Sequence, residues 1–227
     1  MKISAFFPAH NEEANIGDLV KKTSKVLSEL CEEYEIIVVN DGSKDKTKEV
    51  VENLMKEDNH IRLINHEINK GYGAALKSGF YNAKYEWIFF TDGDGQFDVS
   101  EIKKLIDLSK DCDIATGYRI KRQDPIHRKI NAFAWGTLVK LLFGFKVKDV
   151  DCAFKLVKKE IIDKVQLEAD GAMISTELLA KANKLGYRIK EVGVNHYPRK
   201  AGKQTGAKLK VILRAFKELF KLYGKLK

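Results

Sequence analysis

Four short apolar runs, each ending in a polar or glycine-bearing loop and most followed by a helix-periodic segment, constrain this chain more than any other feature. Lys2 to Pro8 reads as a first strand, with Ile3, Ala5, Phe6 and Phe7 inside. The polar turn Ala9-His10-Asn11-Glu12-Glu13 then opens a helix to about Leu30, with Ile16, Leu19, Val20, Val26, Leu27 and Leu30 at roughly helical spacing. Ile36 to Val39 is a second strand, ending in Asn40-Asp41-Gly42-Ser43, with a helix from about Lys44 to Lys56. Ile61 to Ile64 is a third, and Lys70-Gly71-Tyr72-Gly73-Ala74-Ala75 leads into another helix. The fourth is Ile88-Phe89-Phe90-Thr91, which runs directly into Asp92-Gly93-Asp94-Gly95-Gln96. Strands alternating with helices this regularly predict an α/β protein, a mostly parallel sheet with helices on both faces. Ligands of such sheets bind outside the carboxyl ends of the strands, so Pro8 to His10, Asp41 and Asp92 to Asp94 are expected at one crevice.

The second half is less regular. Asp113 to Thr116 is a candidate fifth strand ending in Gly117-Tyr118-Arg119. Residues 126 to 145 form a long helical pattern, Phe154 to Val157 a strand, Thr176 to Leu185 a helix and Tyr187 to His196 a strand. From Ala207 onward the pattern is a basic amphipathic helix, with Leu209, Ile212, Phe216, Leu219, Phe220 and Tyr223 on one side. Such a helix suits an anionic membrane surface, and equally the domain or a partner subunit. The expected division is residues 1–206 as one domain and 207–227 as the tail helix.

At 227 residues and 44% hydrophobic content, the chain is long and apolar enough for a real core. Cys31, Cys112 and Cys152 are scattered and form no CxxC, which suggests a reduced compartment and no zinc site. The N-terminus enters a strand pattern at once, so no signal peptide is expected, and no stretch reaches the length of a membrane span. The net charge of +9, with Lys and Arg dense after residue 119, implies an anionic partner: nucleic acid, an acidic membrane surface or a phosphorylated substrate.

Several constellations carry candidate chemistry beside a plainer reading. Asp92 and Asp94 at a strand's carboxyl edge form a hard-oxygen pair of the kind that takes Mg²⁺ or Mn²⁺ with substrate phosphates; an Asp- and Gly-rich turn is the plain alternative. Asp41 is placed to accept hydrogen bonds from a nucleotide's base or ribose, or to cap the next helix. In Gly71-Tyr72-Gly73-Ala74-Ala75-Leu76, Leu76 replaces the third glycine of a dinucleotide fingerprint, which leaves close backbone approach to a ligand. Arg119, Lys121, Arg122, His127, Arg128 and Lys129 are either a solvated face or an anion site, in which Arg clamps a phosphate. Glu177 opens a helix, favourable there by the dipole alone, and acts as a general base only if it faces the crevice. His196 to Gly206 reads as a loop whose charge suits a diphosphate, or as a linker to the tail.

In combination, Pro8-Ala9-His10-Asn11-Glu12, Val39-Asn40-Asp41-Gly42-Ser43-Lys44-Asp45-Lys46-Thr47, Lys70-Gly71-Tyr72-Gly73 and Asp92-Gly93-Asp94-Gly95-Gln96 resemble the family 2 inverting glycosyltransferases of the GT-A fold. Within that family, residues 3 to 206 are similar to the polyprenyl-phosphate sugar transferases. The resemblance implies a Rossmann-like nucleotide-diphospho-sugar fold, with Pro8, His10, Glu12 and Asp41 holding the donor nucleoside. It implies that Asp92 and Asp94 are the D-x-D pair for Mg²⁺ or Mn²⁺, with Gln96 in the metal shell. Arg119 and Arg128 match basic positions that bind the acceptor phosphate, and Arg199 and Lys203 belong to a loop closing on the diphosphate. Asp149-Val150-Asp151-Cys152-Ala153-Phe154-Lys155 resembles the family's D-x-x-x-G-F-[RK], with Ala153 at the usual glycine.

The expected activity is metal-dependent, inverting transfer of one sugar from a nucleotide-sugar to a dolichyl or undecaprenyl phosphate, by a cytoplasmic chain peripheral to the membrane. Its expected catalytic residues are Asp94, Arg119 and Glu177. A phosphate acceptor is already anionic and needs no strong base; a glycan hydroxyl acceptor, the alternative, would need Glu177 or Asp151 more. The Q-x-x-R-W signature of processive synthases is absent, and nucleic acid is not an expected partner, since the aromatics sit mostly in apolar runs.

Overall fold

The computed structural model describes residues 1–120, 126–145, 147–199 and 209–226; the side chains of 126–133 and 209–214 also lie outside the description. The strands are β1 (Lys2–Ala9), β2 (Glu33–Asp41), β3 (Ile61–His66), β4 (Trp87–Thr91), β5 (Ile114–Ile120), β6 (Phe154–Lys158) and β7 (Ile189–Asn195). The helices are α1 (Ile16–Leu30), α2 (Thr47–Glu57), α3 (Tyr72–Asn82), α4 (Ile102–Ser109), α5 (Ile126–Phe143), α6 (Lys159–Lys164), α7 (Ile174–Lys184) and α8 (Leu209–Leu226).

One sheet of seven strands has the order β3-β2-β1-β4-β6-β5-β7. β1, β2, β3 and β4 pair in parallel, as do β5 and β7, and β6 alone runs antiparallel, between β4 and β5. The α/β expectation therefore holds, with one reversed strand. β2 and β4 leave β1 on opposite sides, so the β1/β4 boundary is the point where strand order switches, the usual ligand crevice of such sheets.

Burial explains the central strands. All five residues of β4 are buried, and Phe90 stacks on Phe6 of β1 at 5.5 Å between centroids. Phe80 of α3 meets both rings edge-on, at 4.9 and 5.2 Å. Each fully buried ring contributes roughly 2–3 kcal/mol, and together they fix the height at which β1 and β4 release their loops. α1 buries Ile16, Leu19, Val20, Thr23 and Leu27, one helical face.

Four elements differ from expectation. α1 begins at Ile16, and residues 10–15 stay irregular because Asn11, at φ 58°, lies in the left-handed region. β5 runs on to Ile120, so Arg119 stands in a strand paired with β7 rather than in a loop after it. α4, entered through a 3-10 turn at Val99–Glu101, and the short α6 were not anticipated. In α8, Leu219 and Leu222 are buried, and the rings of Trp135 and Phe143 in α5 meet those of Phe216 and Tyr223 at 5.3 and 6.1 Å. The described end of the tail helix thus packs against the body of the protein.

Candidate active site

The loops leaving β1 and β4 touch. Gly93 donates its N–H to the Pro8 carbonyl at 3.1 Å. A Cβ at Gly93 would lie 2.7 Å from that oxygen, so only glycine permits the approach. Asp92 and Asp94 flank this contact. Tyr72, the first residue of α3, donates its hydroxyl to Asp92 Oδ1 at 2.9 Å, and Asp94 Oδ1 accepts the Gln96 N–H at 3.1 Å. Across the crevice, Arg199 hydrogen-bonds Glu12 Oε1, and its Nη1 lies 3.8 Å from Asp94 Oδ2. Arg199 is held there because Gln96 and Tyr197 are tied twice: Gln96 Nε2 donates to the Tyr197 carbonyl at 2.9 Å, and the Tyr197 N–H donates to the Gln96 carbonyl at 2.8 Å. Pro8, Glu12, Asp92, Asp94, Gln96 and Arg199 therefore converge as the sequence suggested.

The electrostatics are those of carboxylates short of counter-charge. Burial, then the charge of Asp94, pushes Asp92 up to about 7, against the opposing pull of Tyr72, Arg119 and Lys155. Burial also raises Asp94 and Glu12 despite Arg199. Among the described residues, no three His, Cys, Asp or Glu side chains cluster as an all-protein metal cage. A pair of desolvated carboxylates fits a hard divalent ion that keeps water and phosphate among its ligands. Gln96 has its amide nitrogen on Tyr197, which leaves Oε1 as the atom of that side chain able to join such an ion.

Asp41 does not cap the helix that follows it. Its Oδ1 accepts the Lys70 N–H at 2.9 Å and pairs with His66 Nδ1 at 2.7 Å, and its Oδ2 accepts the Gly71 N–H at 2.9 Å. It anchors the loop into α3, while the turn before α2 is closed by Asp45, which accepts from both Thr47 N and Thr47 Oγ1. The helix-cap reading of Asp41 is thereby corrected. His10 joins the same edge, its Nδ1 2.8 Å from the Asp41 carbonyl, and Asn11 accepts the Lys44 N–H at 2.8 Å. These bonds lock the β1 and β2 loops into one wall.

The opposite wall comes from β5 and the turn before β6. Arg119 grips Asp149 through Nε at 2.6 Å and Nη2 at 2.8 Å. Lys155, fully buried, turns back to bond the carbonyls of Val150, at 3.1 Å, and Cys152. It thus stitches the turn that carries Asp149 and Asp151. Burial lowers the Lys155 ammonium and pushes the Cys152 thiol up to about 12, so that thiol is no nucleophile.

Glu177 is not aimed into the crevice. Its carboxylate, buried, accepts the N–H groups of Glu168 (3.0 Å) and Ala169 (2.8 Å) and pairs with Lys181 at 2.7 Å. The backbone it holds continues to Asp170, whose carbonyl accepts the Gly73 N–H at 3.0 Å, so its contact with the site is indirect. Arg128 falls on α5, but its side chain lies outside the described residues, as does Lys203 entirely.

Sequence reasoning passed over Tyr72, His66 and the role of Lys155. His66 is the register partner of Asp41 across β2 and β3, a neighbour visible only once the strands are paired. Lys155 carries a signal in hindsight, a lysine flanked in its strand by the buried apolar Phe154 and Leu156.

The description Glycosyl transferase family 2 matches residues 4–166. A dolichyl-phosphate beta-glucosyltransferase of Trichomonas vaginalis is 33% identical over 210 residues, covering 85% of this chain and 64% of that protein. An undecaprenyl-phosphate 4-deoxy-4-formamido-L-arabinose transferase of Proteus mirabilis is 30% identical over 213 residues, covering 93% of this chain. The chain spans 64% of the length of each of these two relatives. Among solved structures, a glucosyl-3-phosphoglycerate synthase from Mycobacterium tuberculosis, crystallised with Mn²⁺, UDP-glucose and phosphoglyceric acid, superposes with a TM-score of 0.78. It is 17% identical, and the match covers 98% of this chain and 80% of that one, so the likeness is one of fold. With a family match across most of its sheet, the chain belongs to glycosyl transferase family 2.

Proposed function

We propose that the chain transfers a single sugar, with inversion, from a nucleotide-sugar to a polyprenyl phosphate. One observation carries the reading: Asp92 and Asp94 stand half-buried at the strand-order switch, with Arg199 facing them. That arrangement suits a diphosphate bound through a divalent ion on one side and a guanidinium on the other. The names of the Trichomonas and Proteus relatives, both acting on polyprenyl phosphates, support the acceptor class.

In this reading Asp92, Asp94 and Gln96 would hold Mg²⁺ or Mn²⁺, which would supply charge stabilisation for a departing nucleoside diphosphate. Arg199, and Lys203 beyond it in sequence, add positive charge to the same leaving group. The loop wall of His10, Glu12 and Asp41 receives the nucleoside, with Pro8 setting the floor. Arg119, oriented by Asp149, and Arg128 draw the acceptor phosphate to the face opposite the leaving group. An acceptor that arrives as an anion attacks without a base, which agrees with Glu177 being engaged elsewhere.

Membrane contact belongs to the same proposal. No described helix is long and apolar enough to cross a membrane. On neighbouring helices α5 and α8, Leu141 is 81% and Phe220 60% exposed, and Lys217 and Lys221 stand on the same helix as Phe220. Apolar side chains beside lysines suit an anionic lipid surface.

The test is a panel of labelled UDP- and GDP-sugars given to the purified chain with Mn²⁺, with and without a short polyprenyl phosphate. Label entering the organic phase only when the lipid phosphate is present is the expected result. Transfer confined to a water-soluble hydroxyl acceptor would favour the alternative, a family 2 enzyme acting on a glycan hydroxyl.

A further inference from the structure

We propose that Tyr72 is a positioning residue for the metal carboxylates, the last link of a path of hydrogen bonds and one backbone step that joins Asp41 to Asp92. The inference rests on reading Asp92 and Asp94 as the metal pair. The path begins where α3 meets the edge strand β3. Ser78 Oγ lies 2.9 Å from His66 Nε2, and His66 Nδ1 lies 2.7 Å from Asp41 Oδ1. Asp41 in turn receives the N–H groups of Lys70 and Gly71, both at 2.9 Å. Tyr72 follows directly and donates its hydroxyl to Asp92 Oδ1 at 2.9 Å.

The backbone leaves Tyr72 little choice of direction. Gly71 before it has φ 97°, which a side chain would strain. Gly73 after it donates to the Asp170 carbonyl at 3.0 Å, and a Cβ there would meet the Ala169 carbonyl oxygen at 2.5 Å. Tyr72 is therefore pinned on both sides, and α3 starts from that fixed point. A phenol donating to one oxygen of a carboxylate sets the plane of the group and leaves the other oxygen to a cation. The bond is charge-assisted and half-buried, so its loss is felt more than that of a surface contact. A purely structural tyrosine would stabilise the fold and leave the ion indifferent, and this is where the two roles part.

The experiment measures Mn²⁺ binding directly, with the metal alone, by the free-ion paramagnetic resonance signal. Tyr72→Phe removes only the hydroxyl. Its Mn²⁺ affinity is expected to fall about tenfold, and its Mn²⁺ requirement for turnover to rise by a similar factor. At saturating Mn²⁺ its kcat should stay within about twofold of the unaltered chain. Asp92→Asn is measured alongside. Affinity unchanged in Tyr72→Phe but lost in Asp92→Asn overturns the role of Tyr72 and leaves the metal reading standing. Affinity unchanged in Asp92→Asn overturns both. Should Tyr72→Phe not fold, the unaltered chain still answers: Mn²⁺ must perturb its tyrosine ultraviolet band, and no perturbation overturns the proposal.

Discussion

Arg119 and Asp149 form a two-pronged pair, Nε to Oδ2 and Nη2 to Oδ1, and the Arg119 N–H reaches the same Oδ2 at 3.3 Å. Burial works against the guanidinium charge, but the Asp149 carboxylate more than offsets it and raises the group. Asp149 thus uses one edge of the fork and fixes the plane of the guanidinium. Arg119→Lys keeps the charge and loses the fork. It is expected to lower kcat/KM for a phosphate acceptor by about tenfold or more, and Asp149→Asn should do much the same. Combining them should cost well under the product of the two losses, because both remove one interaction. Steady-state kinetics over the four chains checks this.

Asp92 sets a pH dependence whose sign follows from its direction of shift. Burial and the neighbouring Asp94 raise it from 3.8 to about 7, so the folded chain holds a proton that the unfolded chain releases earlier. Metal-free stability should therefore be highest at or below about pH 4 as far as this group is concerned, and decline as pH rises to about 7. Mn²⁺ competes with the same proton, so its affinity should climb by up to about one decade per pH unit below about 7 and then level off. Thermal melts and Mn²⁺ titrations across that range measure both trends. Asp92→Asn should flatten the stability trend, and an unaltered slope in that variant would assign it to another group.

The fold was legible where one residue pattern decided one element. The run Ile88 to Phe90 and the helical stripe of α1 needed only local periodicity, and the carboxyl-end rule then put Pro8 to His10, Asp41 and Asp92 to Asp94 along one edge of the sheet. What was not legible depended on pairing between distant segments. The antiparallel direction of β6 follows from its start at the crevice edge, which sequence spacing does not record. Asp41 was readable as a cap because its neighbour His66 sits one strand away. Glu177 was open between a helix-dipole role and a base; only the fold reveals the amides of Glu168 and Ala169 before it.

Arg199 sits beside Glu12 and Asp94 as a resident positive charge. That position has opposite consequences for the two halves of a metal–diphosphate group. A guanidinium repels a bare divalent ion and attracts the phosphates that accompany it. Arg199→Ala is thus expected to tighten Mn²⁺ alone by about two- to tenfold, and to weaken the nucleoside diphosphate in the presence of Mn²⁺. Calorimetric titration of each component separates the effects. A loss of affinity for both would mean that Arg199 mainly shapes the wall through Glu12.

Glu177 offers the sharpest contrast between a base and a strut. Its carboxylate is 3% exposed and receives two backbone amides and Lys181. Glutamine has one acceptor oxygen where the native group has two, and it turns an NH₂ toward an N–H donor. Glu177→Gln should therefore destabilise the fold by about 1–3 kcal/mol, read as a lowered denaturant midpoint. The 168–170 segment it holds also supports Gly73, so a modest rise in the metal requirement is expected with it. Below the melting transition, kcat at saturating metal should stay within about threefold of the unaltered chain, with the shape of its pH profile unchanged. A collapse of kcat by about a thousandfold with the midpoint untouched would instead make Glu177 the base of a hydroxyl-acceptor enzyme, and would overturn both the strut and the phosphate acceptor.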